Sequence, residues 1–223
     1  HKEDACRLAT HRSAEVEATG AANTLVFRED GSIEAHNTDY DAVLDSIMTG
    51  LKNHPDGWSL KGKKVLVLGA GGVARSVVHG LSARGAEVRL AARTQSRAEG
   101  IAKAIPCAVV DWGNRHASPV DVVVNCTPVG MHPMVDESPL ESSFIKPPMV
   151  VMDTIYNPES TLLVRSAREK GAVAVTGLDM FIAQAAAQFK LFTGEAAPAD
   201  LMRQVARNAL SSRVGRPLAQ GAG

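Results

Sequence analysis

Residues 64–76 read KVLVLGAGGVARS, and this stretch decides the fold of the chain. Four apolar residues, Val65–Leu68, stop abruptly at glycines, and an apolar pattern with helical spacing follows. Such a sequence is typical of a buried strand in a parallel sheet, then a tight turn and the N-terminus of a helix. It predicts an α/β protein with a Rossmann-like, doubly wound nucleotide-binding domain.

The turn itself has the form G-x-G-x-x-A. Gly69 permits the tight turn, Gly71 lets a pyrophosphate approach the backbone, and Ala74 lets helix and strand pack closely. The phosphates would lie against the free N–H groups at the start of the helix. A glycine-rich turn without a ligand is the alternative, but the preceding strand and the following helix favour a nucleotide site. The predicted cofactor-binding residues of the turn are Gly69, Ala70, Gly71, Gly72, Val73 and Ala74.

The next predicted strand, Glu87–Ala92, indicates which nucleotide is bound. An NAD site places an acid about 20 residues beyond the glycines, where it bonds the ribose hydroxyls. Here the strand is followed by basic and hydroxyl residues, of which Arg93, Thr94 and Arg97 are the candidates for binding a 2′-phosphate. A guanidinium binds phosphate through two parallel hydrogen bonds. The sequence therefore predicts NADP rather than NAD, with a solvated basic turn as the alternative.

Composition excludes several classes of protein. The 223 residues contain 24 basic and 24 acidic side chains, so no net charge favours nucleic acid or an anionic membrane surface. No apolar run approaches the ~20 residues of a membrane span, and no stretch has the pattern of a signal peptide, so neither is expected. Cys6, Cys107 and Cys126 lack the spacing of a disulfide framework or a metal site, which predicts reduced thiols and a cytoplasmic location. The seven histidines show no ligand spacing, so no metal is expected.

The remaining segments alternate between helical and strand patterns. An Asp30-Gly31 turn predicts a hairpin between strands 22–27 and 32–37. Further strands are expected near 107–110, 120–125, 149–152 and 172–175, with helices at 2–11, 38–51, 73–84, 96–105, 161–170, 177–192 and 198–210. The expected organisation is a partial α/β substrate-binding domain at 1–58, an NADP-binding domain at 59–177, C-terminal helices at 178–211 that pack back on the substrate domain, and a disordered tail at 212–223.

Several short motifs occur in a fixed order along the chain. They are HKE at 1–3, ANT at 22–24, NTD at 37–39, the glycine turn, RT at 93–94, NCTPVGM at 125–131, DTIYNP at 153–158, and GLDM at 177–180 with Gln184. Together they resemble the shikimate dehydrogenase family over His1 to about Leu210. The resemblance implies NADPH-dependent reduction of 3-dehydroshikimate to shikimate, a step of aromatic amino-acid and chorismate biosynthesis. It also implies two domains with the substrate in the cleft between them.

The resemblance assigns roles to residues in those motifs. It implies that Lys2 and Asp39 are catalytic, since an ammonium can give a proton to a developing alkoxide while a carboxylate orients it. Their alternatives are an exposed terminal lysine and an acid at a helix start. The implied substrate-binding residues are Asn23, Tyr156 and Gln184, and the residues implied near the nicotinamide are Thr127, Gly177 and Met180.

Two departures from the family pattern affect these expectations. The family's first strands, with a serine pair that binds the substrate carboxylate, would precede His1, so the chain is expected to be a fragment. The family commonly has Asn before its Arg-Thr pair, and Ala92 stands there in this chain. Expected partners are a small-molecule substrate and either a second copy of the chain or a linked upstream dehydroquinase domain. The alternatives are a quinate/shikimate dehydrogenase that uses NAD and an inactive NADP-binding fragment.

Overall fold

The computed structural model describes residues 2–57 and 59–213. Helices and strands alternate along most of this length. The helices are α1 (Lys2–Leu8), α2 (Ala14–Thr19), α3 (Thr38–Gly50), α4 (Gly72–Ala83), α5 (Gln95–Ala102), α6 (Leu162–Glu169), α7 (Gly177–Thr193) and α8 (Ala199–Arg213). The strands are β1 (His11–Arg12), β2 (Thr24–Phe27), β3 (Ile33–His36), β4 (Lys64–Leu68), β5 (Glu87–Ala91), β6 (Ala108–Val110), β7 (Val122–Asn125), β8 (Val150–Asp153) and β9 (Val173–Val175). Single 3₁₀ turns occupy Leu51–Asn53 and Ser142–Phe144.

The larger sheet has six parallel strands in the order β6-β5-β4-β7-β8-β9. Strand β4 lies at its centre, with Leu68 paired to Ala91 of β5 on one side and to Asn125 of β7 on the other. The chain therefore proceeds outward from β4 in one direction and then, starting again at β7, in the other. The predicted doubly wound fold is confirmed, and the carboxyl ends of β4, β5 and β7 meet at one edge, where such folds bind ligands.

Helices cover both faces of this sheet, as the continuous apolar strands require. Val65 and Val67 of β4 pack in a core that includes α3, α4 and α5. Leu66 and Leu68, which point to the opposite face, pack with α6. Successive side chains of a strand alternate between faces, so one short apolar run supplies both cores.

The smaller sheet has three strands in the order β1-β3-β2. Strands β2 and β3 are antiparallel, with Thr24 opposite His36 and Phe27 opposite Ile33. Gly31 in the connecting turn has φ +83°, a conformation that glycine adopts without strain. The predicted hairpin is confirmed. Two further elements, α2 and β1, have no signal in the sequence pattern and are only six and two residues long.

Helix α3 follows the smaller sheet in the chain and packs against the larger one. Its residues Val43, Leu44 and Ile47 are fully buried in the core that also contains β4 and α4. At its start, Asn37 donates from Nδ2 to Thr19 Oγ1 and to Ser76 Oγ, each at 3.2 Å. The predicted domain boundaries stay predictions, because the packing of α3 does not define where one unit ends.

Two local expectations differ from the structure. The polar composition of residues 52–63, with Pro55 and Gly57, predicts a linker between the two domains, yet His54 and Lys63 are buried there, with side chains only 2% and 6% exposed. The last helix continues to Arg213, three residues beyond the predicted end at Leu210. The rest of the predicted tail, 214–223, lies outside the described residues. Among the helices of the described ranges, none is long and apolar enough to cross a membrane.

Candidate active site

The glycine turn has the geometry that a pyrophosphate site needs. Gly69 has φ +104°, and a Cβ atom there would lie 2.9 Å from the carbonyl oxygen of Cys126. At Gly71 and Gly72, by contrast, a Cβ would meet no atom within 4 Å, so the backbone borders open space at the N-terminus of α4. Ala74 is fully buried against the sheet. The turn therefore offers unobstructed N–H groups and the positive end of a helix dipole to an anion.

The basic residues after β5 lie next to this turn. Because Leu68 pairs with Ala91, the segment that begins at Arg93 leaves the sheet beside Gly69. Arg93, Thr94 and Arg97 are all exposed. Neither guanidinium forms an ion pair with any residue in 2–57 or 59–213, so both are available to a phosphate. The residues present thus fit an NADP molecule, and their role in binding it stays a prediction.

Lys2 and Asp39 form a close ion pair. Lys2 Nζ lies 2.6 Å from Asp39 Oδ2, with the two side chains 43% and 12% exposed. Helix α1 supplies the lysine, and the first turn of α3 supplies the carboxylate, where the helix dipole favours negative charge. The backbone N–H of Ala22 donates to the carbonyl of Lys2 at 3.0 Å, which ties α1 to the segment before β2. The structure therefore brings the two predicted catalytic residues together.

A cavity of about 170 Å³ contains this ion pair and five other predicted site residues. Its lining residues are Lys2, Asp39, Val73, Thr154, Tyr156, Gly177, Met180, Phe181 and Gln184. Val73 belongs to the glycine turn, so the cavity extends from the ion pair to the predicted cofactor site. A larger cavity, of about 780 Å³, lies between α3 and the end of α7 and contains neither Lys2 nor Gln184.

Sequence reasoning missed two residues that line the cavity, Thr154 and Phe181. The Phe181 ring stacks on that of Tyr156, with centroids 4.9 Å apart and 24° between the planes. Thr154 Oγ1 donates to the Asn125 carbonyl at 2.8 Å. Thr154 lies two residues before Tyr156 in the DTIYNP motif, and Phe181 directly follows the GLDM motif; these positions are the signal that could have identified them.

Asn23 is not among the cavity-lining residues but contacts one of them. Its Nδ2 donates to Gln184 Oε1 at 3.3 Å and to Thr38 Oγ1 at 3.0 Å. Its Oδ1 accepts from the Thr38 N–H at 3.0 Å. Both ends of the Asn23 carboxamide are thus engaged by protein groups, which places Asn23 behind Gln184.

Thr127 is bonded within its own loop. Its Oγ1 donates to Asn125 Oδ1 at 2.7 Å and accepts from the Val129 N–H at 3.2 Å. The hydroxyl proton is therefore committed to the loop, and the predicted position of Thr127 beside the nicotinamide stays a prediction.

Asn125 and Asp153 hold two loops at the carboxyl edge of the sheet. Asn125 Nδ2 donates to Asp153 Oδ1 at 3.0 Å and to the carbonyl of Val129 at 3.2 Å. Asp153 also accepts from Thr161 Oγ1 at 2.7 Å and from the Ile155 N–H at 3.1 Å. Burial raises the pKa of Asp153 to about 6, while these three donors act in the opposite direction. The same burial raises the pKa of the neighbouring Cys126 thiol.

A separate polar cluster lies at the amino end of β4. Ligand atoms of His54, Asp56 and Asp121 lie within 4.8 Å of one another. Lys63 Nζ, however, donates to His54 Nδ1 at 3.0 Å and lies 3.5 Å from Asp56 Oδ2. The lysine ammonium is thus the cation of this cluster, and we assign no metal to it.

The chain is similar to known proteins in sequence and in fold. The family profile described as shikimate / quinate 5-dehydrogenase matches residues 51–160, and the shikimate 5′-dehydrogenase C-terminal domain matches 177–207. A Methanosarcina barkeri protein named shikimate dehydrogenase (NADP(+)) is 36% identical over 204 residues, which are 87% of this chain and 70% of that protein. The chain belongs to the shikimate dehydrogenase family. It is an enzyme family of the shikimate pathway, as the motifs predicted.

Other relatives differ in length and in named substrate. A bifunctional 3-dehydroquinate dehydratase/shikimate dehydrogenase from Arabidopsis thaliana is 36% identical over 216 residues, 92% of this chain but only 36% of that protein. A quinate dehydrogenase from Corynebacterium glutamicum in complex with NAD has a TM-score of 0.84 at 30% identity, covering 93% of this chain and 74% of that one. A shikimate 5-dehydrogenase from Thermus thermophilus in complex with NADP(H) and shikimate has a TM-score of 0.80 at 33% identity, covering 93% and 76%.

Proposed function

We propose that this chain interconverts 3-dehydroshikimate and shikimate with NADP as its cofactor, and that Lys2 and Asp39 handle the proton. The observation that carries the proposal is the Lys2–Asp39 pair, joined at 2.6 Å in a cavity that reaches the glycine turn. The relatives named shikimate dehydrogenase (NADP(+)) support both the substrate and the cofactor.

The chemistry needs a proton donor beside a carbonyl oxygen. Bound NADPH supplies the hydride, and the chain must supply the proton and stabilise the negative oxygen. Lys2 carries three N–H donors, and only one is used by Asp39. The others can bind the ligand oxygen and give it a proton as charge develops. Asp39 accepts from the same ammonium, so it orients Lys2 and can share its proton in the reverse direction.

The remaining cavity residues hold the ring of the substrate. Gln184 offers a carboxamide, and Tyr156, stacked on Phe181, forms one wall. Met180 and Val73 are the apolar residues on the side of the glycine turn. A small polyhydroxy ring carboxylate suits such a mixture of polar and apolar groups in a cavity of about 170 Å³.

Replacing Lys2 tests the proposal. In the full natural polypeptide, Lys2→Ala should lower kcat for shikimate oxidation by about 10²-fold, because positioned proton transfer contributes at least that much. The KM for NADP should change little. Asp39→Asn should lower kcat similarly and also raise the KM for shikimate. Lys52→Ala, which removes an exposed lysine, is the matched control. An unchanged kcat in Lys2→Ala would remove this lysine from the mechanism.

Cofactor choice is measured separately. The guanidiniums of Arg93 and Arg97, which form no ion pair within the described part of the chain, favour the 2′-phosphate, so NADPH should bind more tightly than NADH. Arg93→Ala should weaken NADPH binding about tenfold and leave NADH binding nearly unchanged, since a charge-assisted hydrogen bond to phosphate is worth that much. Fluorescence titration with each cofactor measures both constants. An equal loss for the two cofactors would mean that the phosphate is bound elsewhere.

The second candidate is oxidation of quinate with NAD. The structural similarity to a quinate dehydrogenase in complex with NAD favours it, as does Ala92 in place of the family's asparagine. Turnover of shikimate and of quinate, each with NADP and with NAD, decides between the two. NADP binding without any turnover would instead support a nucleotide-binding module.

One relative supports a linked dehydroquinase domain as the partner, since the Arabidopsis protein is named as a bifunctional 3-dehydroquinate dehydratase/shikimate dehydrogenase. A homodimer remains an expectation from the sequence, and sedimentation of the full polypeptide would test it.

A further inference from the structure

A chain of hydrogen bonds behind the cavity fixes the orientation of the Asn23 carboxamide. The Thr38 N–H donates to the Asn23 side chain at 3.0 Å. A backbone N–H can only donate, so the atom facing it must be the Asn23 oxygen. The NH₂ group of Asn23 therefore points the other way. This assignment of the amide nitrogen and oxygen rests on a backbone N–H, whose role as a donor cannot change.

That orientation in turn fixes Gln184. Asn23 Nδ2 lies 3.3 Å from Gln184, and because Nδ2 only donates, the Gln184 atom facing it must be Oε1. Gln184 Nε2 is then the end of the side chain left for a ligand. Within the described ranges no protein group accepts from Nε2. Since Gln184 lines the cavity, a ligand there meets N–H donors.

Two residues outside the cavity complete the chain. Gln188 Nε2 donates to Thr24 Oγ1 at 3.1 Å. Thr24 Oγ1 donates in turn to Asn23 Oδ1 at 2.9 Å. Thr24 is only 3% exposed, so water cannot readily replace either bond. Gln188 lies one turn after Gln184 on the same face of α7, which places both amides against β2.

We propose that Thr24 and Gln188 are positioning residues for substrate binding. They hold the Asn23 oxygen in place, and Asn23 holds Gln184 so that its Nε2 hydrogens face a hydroxyl or carboxylate oxygen of the substrate. The inference rests on the proposed function, and it adds two residues that do not line the cavity. The Thr38 N–H sets which end of the Asn23 carboxamide faces α3, and the Thr24 hydroxyl supplies a second bond that restrains the carboxamide in that orientation. Without Thr24 and Gln188 the Asn23 carboxamide is held less firmly and restrains Gln184 less, and a rotated Gln184 would present an acceptor.

Kinetics of three variants test the proposal in the full natural polypeptide. Thr24→Val keeps the shape and removes the hydroxyl, and Gln188→Met removes the donor. Each should raise the KM for shikimate and lower kcat/KM by about tenfold, the worth of one buried hydrogen bond, with the KM for NADP unchanged. Thr24→Ser, which restores the hydroxyl, should return kcat/KM close to that of the wild type. Thr193→Val and Gln204→Met are the matched controls at exposed positions.

The double variant and a spectroscopic measurement separate positioning from general loss of structure. Thr24→Val and Gln188→Met break the same bond, so their combined effect should not exceed the larger single effect. In the ligand-free protein, Thr24→Val should shift the side-chain NH₂ resonances of Asn23, Gln184 and Gln188 in a nitrogen–proton correlation spectrum. This readout does not depend on turnover.

The outcomes distinguish this proposal from the proposed function. If the wild type oxidises shikimate and both variants keep its kcat/KM, the positioning role is overturned and the function stands. An equal rise in the KM for shikimate and in the KM for NADP would also overturn the positioning role, because it would indicate a general structural defect. Unchanged amide resonances in Thr24→Val would show that the hydrogen-bond chain is absent. If the wild type turns over neither substrate, the function and the positioning role fall together.

Discussion

Asp153 illustrates how one residue can cost stability and still organise a site. The residue has no exposed surface, and three donors reach its two oxygens. Desolvation outweighs those donors and raises the pKa of the carboxyl to about 6, from an ordinary value of 3.8. The charged carboxylate therefore costs folding free energy at neutral pH. What the carboxylate provides is a fixed geometry, because its hydrogen bonds join the loop after β7 to the loop after β8.

This cost predicts a pH dependence of stability. Between pH 3.8 and about 6 the folded protein binds a proton at Asp153 that the unfolded chain does not. Stability should therefore increase as the pH falls through this window, by up to about 3 kcal/mol from this residue. The measurement is the free energy of unfolding of wild type minus that of Asp153→Asn, by urea denaturation at several pH values.

The control for this experiment is Asp200→Asn, which removes an exposed carboxylate from α8. The free energy of unfolding of the wild type minus that of Asp153→Asn should increase as the pH falls from 7 to about 4. Other groups titrate alike in both proteins, so the change in this difference reports Asp153 alone. A difference that is constant with pH would show that the Asp153 carboxyl titrates alike in the folded and unfolded states.

At the scale of elements, α7 supplies more of the site than any other helix does. Thr176 and Asp179 form a reciprocal capping box that fixes where the helix begins. Gly177, Met180 and Gln184 then lie on one face at helical spacing and line the cavity. Because the first residue of the helix sets the rotation of the others, a change at Gly177 should move the whole face.

Gly177→Ala tests this dependence. A Cβ at Gly177 would lie 2.3 Å from the carbonyl oxygen of Ile155, a backbone atom that cannot rotate away. The helix must shift, so we expect a loss of about 1–3 kcal/mol in stability and a lower kcat/KM for shikimate. Gly100→Ala is the matched control, since its Cβ would meet nothing within 4 Å and helix propensity predicts a gain of about 0.5–1 kcal/mol. Equal stability changes in the two variants would refute the packing argument.

At the scale of the whole molecule, α3 fixes the position of Asp39 relative to the nucleotide-binding sheet. A Cβ at Gly80 of α4 would lie 2.6 Å from Leu44 Cδ1, so glycine is what lets the two helices approach so closely. Tyr40 Oη and His79 Nδ1 are 3.2 Å apart across the same contact. The predicted catalytic carboxylate is thus carried by a helix that is itself packed on the helix following the glycine turn.

Much of the site was accessible from the sequence because its motifs are local. The resemblance placed Lys2, Asp39, Gln184 and Tyr156 in one site, and the structure puts all four in one cavity. It did not reveal that Asn23 is engaged by protein groups on both ends, nor that Thr127 is bonded within its own loop. Those facts depend on which partners surround a side chain, and its neighbours in sequence do not specify them.

The burial of individual side chains could not be predicted from composition either. Residues 52–63 have the composition of a polar linker, yet Lys63 is buried because His54 and Asp56 satisfy its ammonium. Asp153 was part of a recognised motif, but its shifted pKa arises from enclosure by β7, β8 and the start of α6. Short elements such as α2 were missed because six residues carry too little periodicity to predict a helix.

By itself, the sequence determined the features that neighbouring residues control: the apolar strand and glycine turn at 64–76, the Asp-Gly hairpin, the basic segment after β5 and the starts of the long helices. The tertiary structure alone decided which distant residues meet. Lys2 reaches Asp39 across 37 positions, and Asn23 reaches Gln184 across 161. Turns and periodicity follow from backbone sterics and local burial, whereas these contacts exist only once the helices have packed against the two sheets.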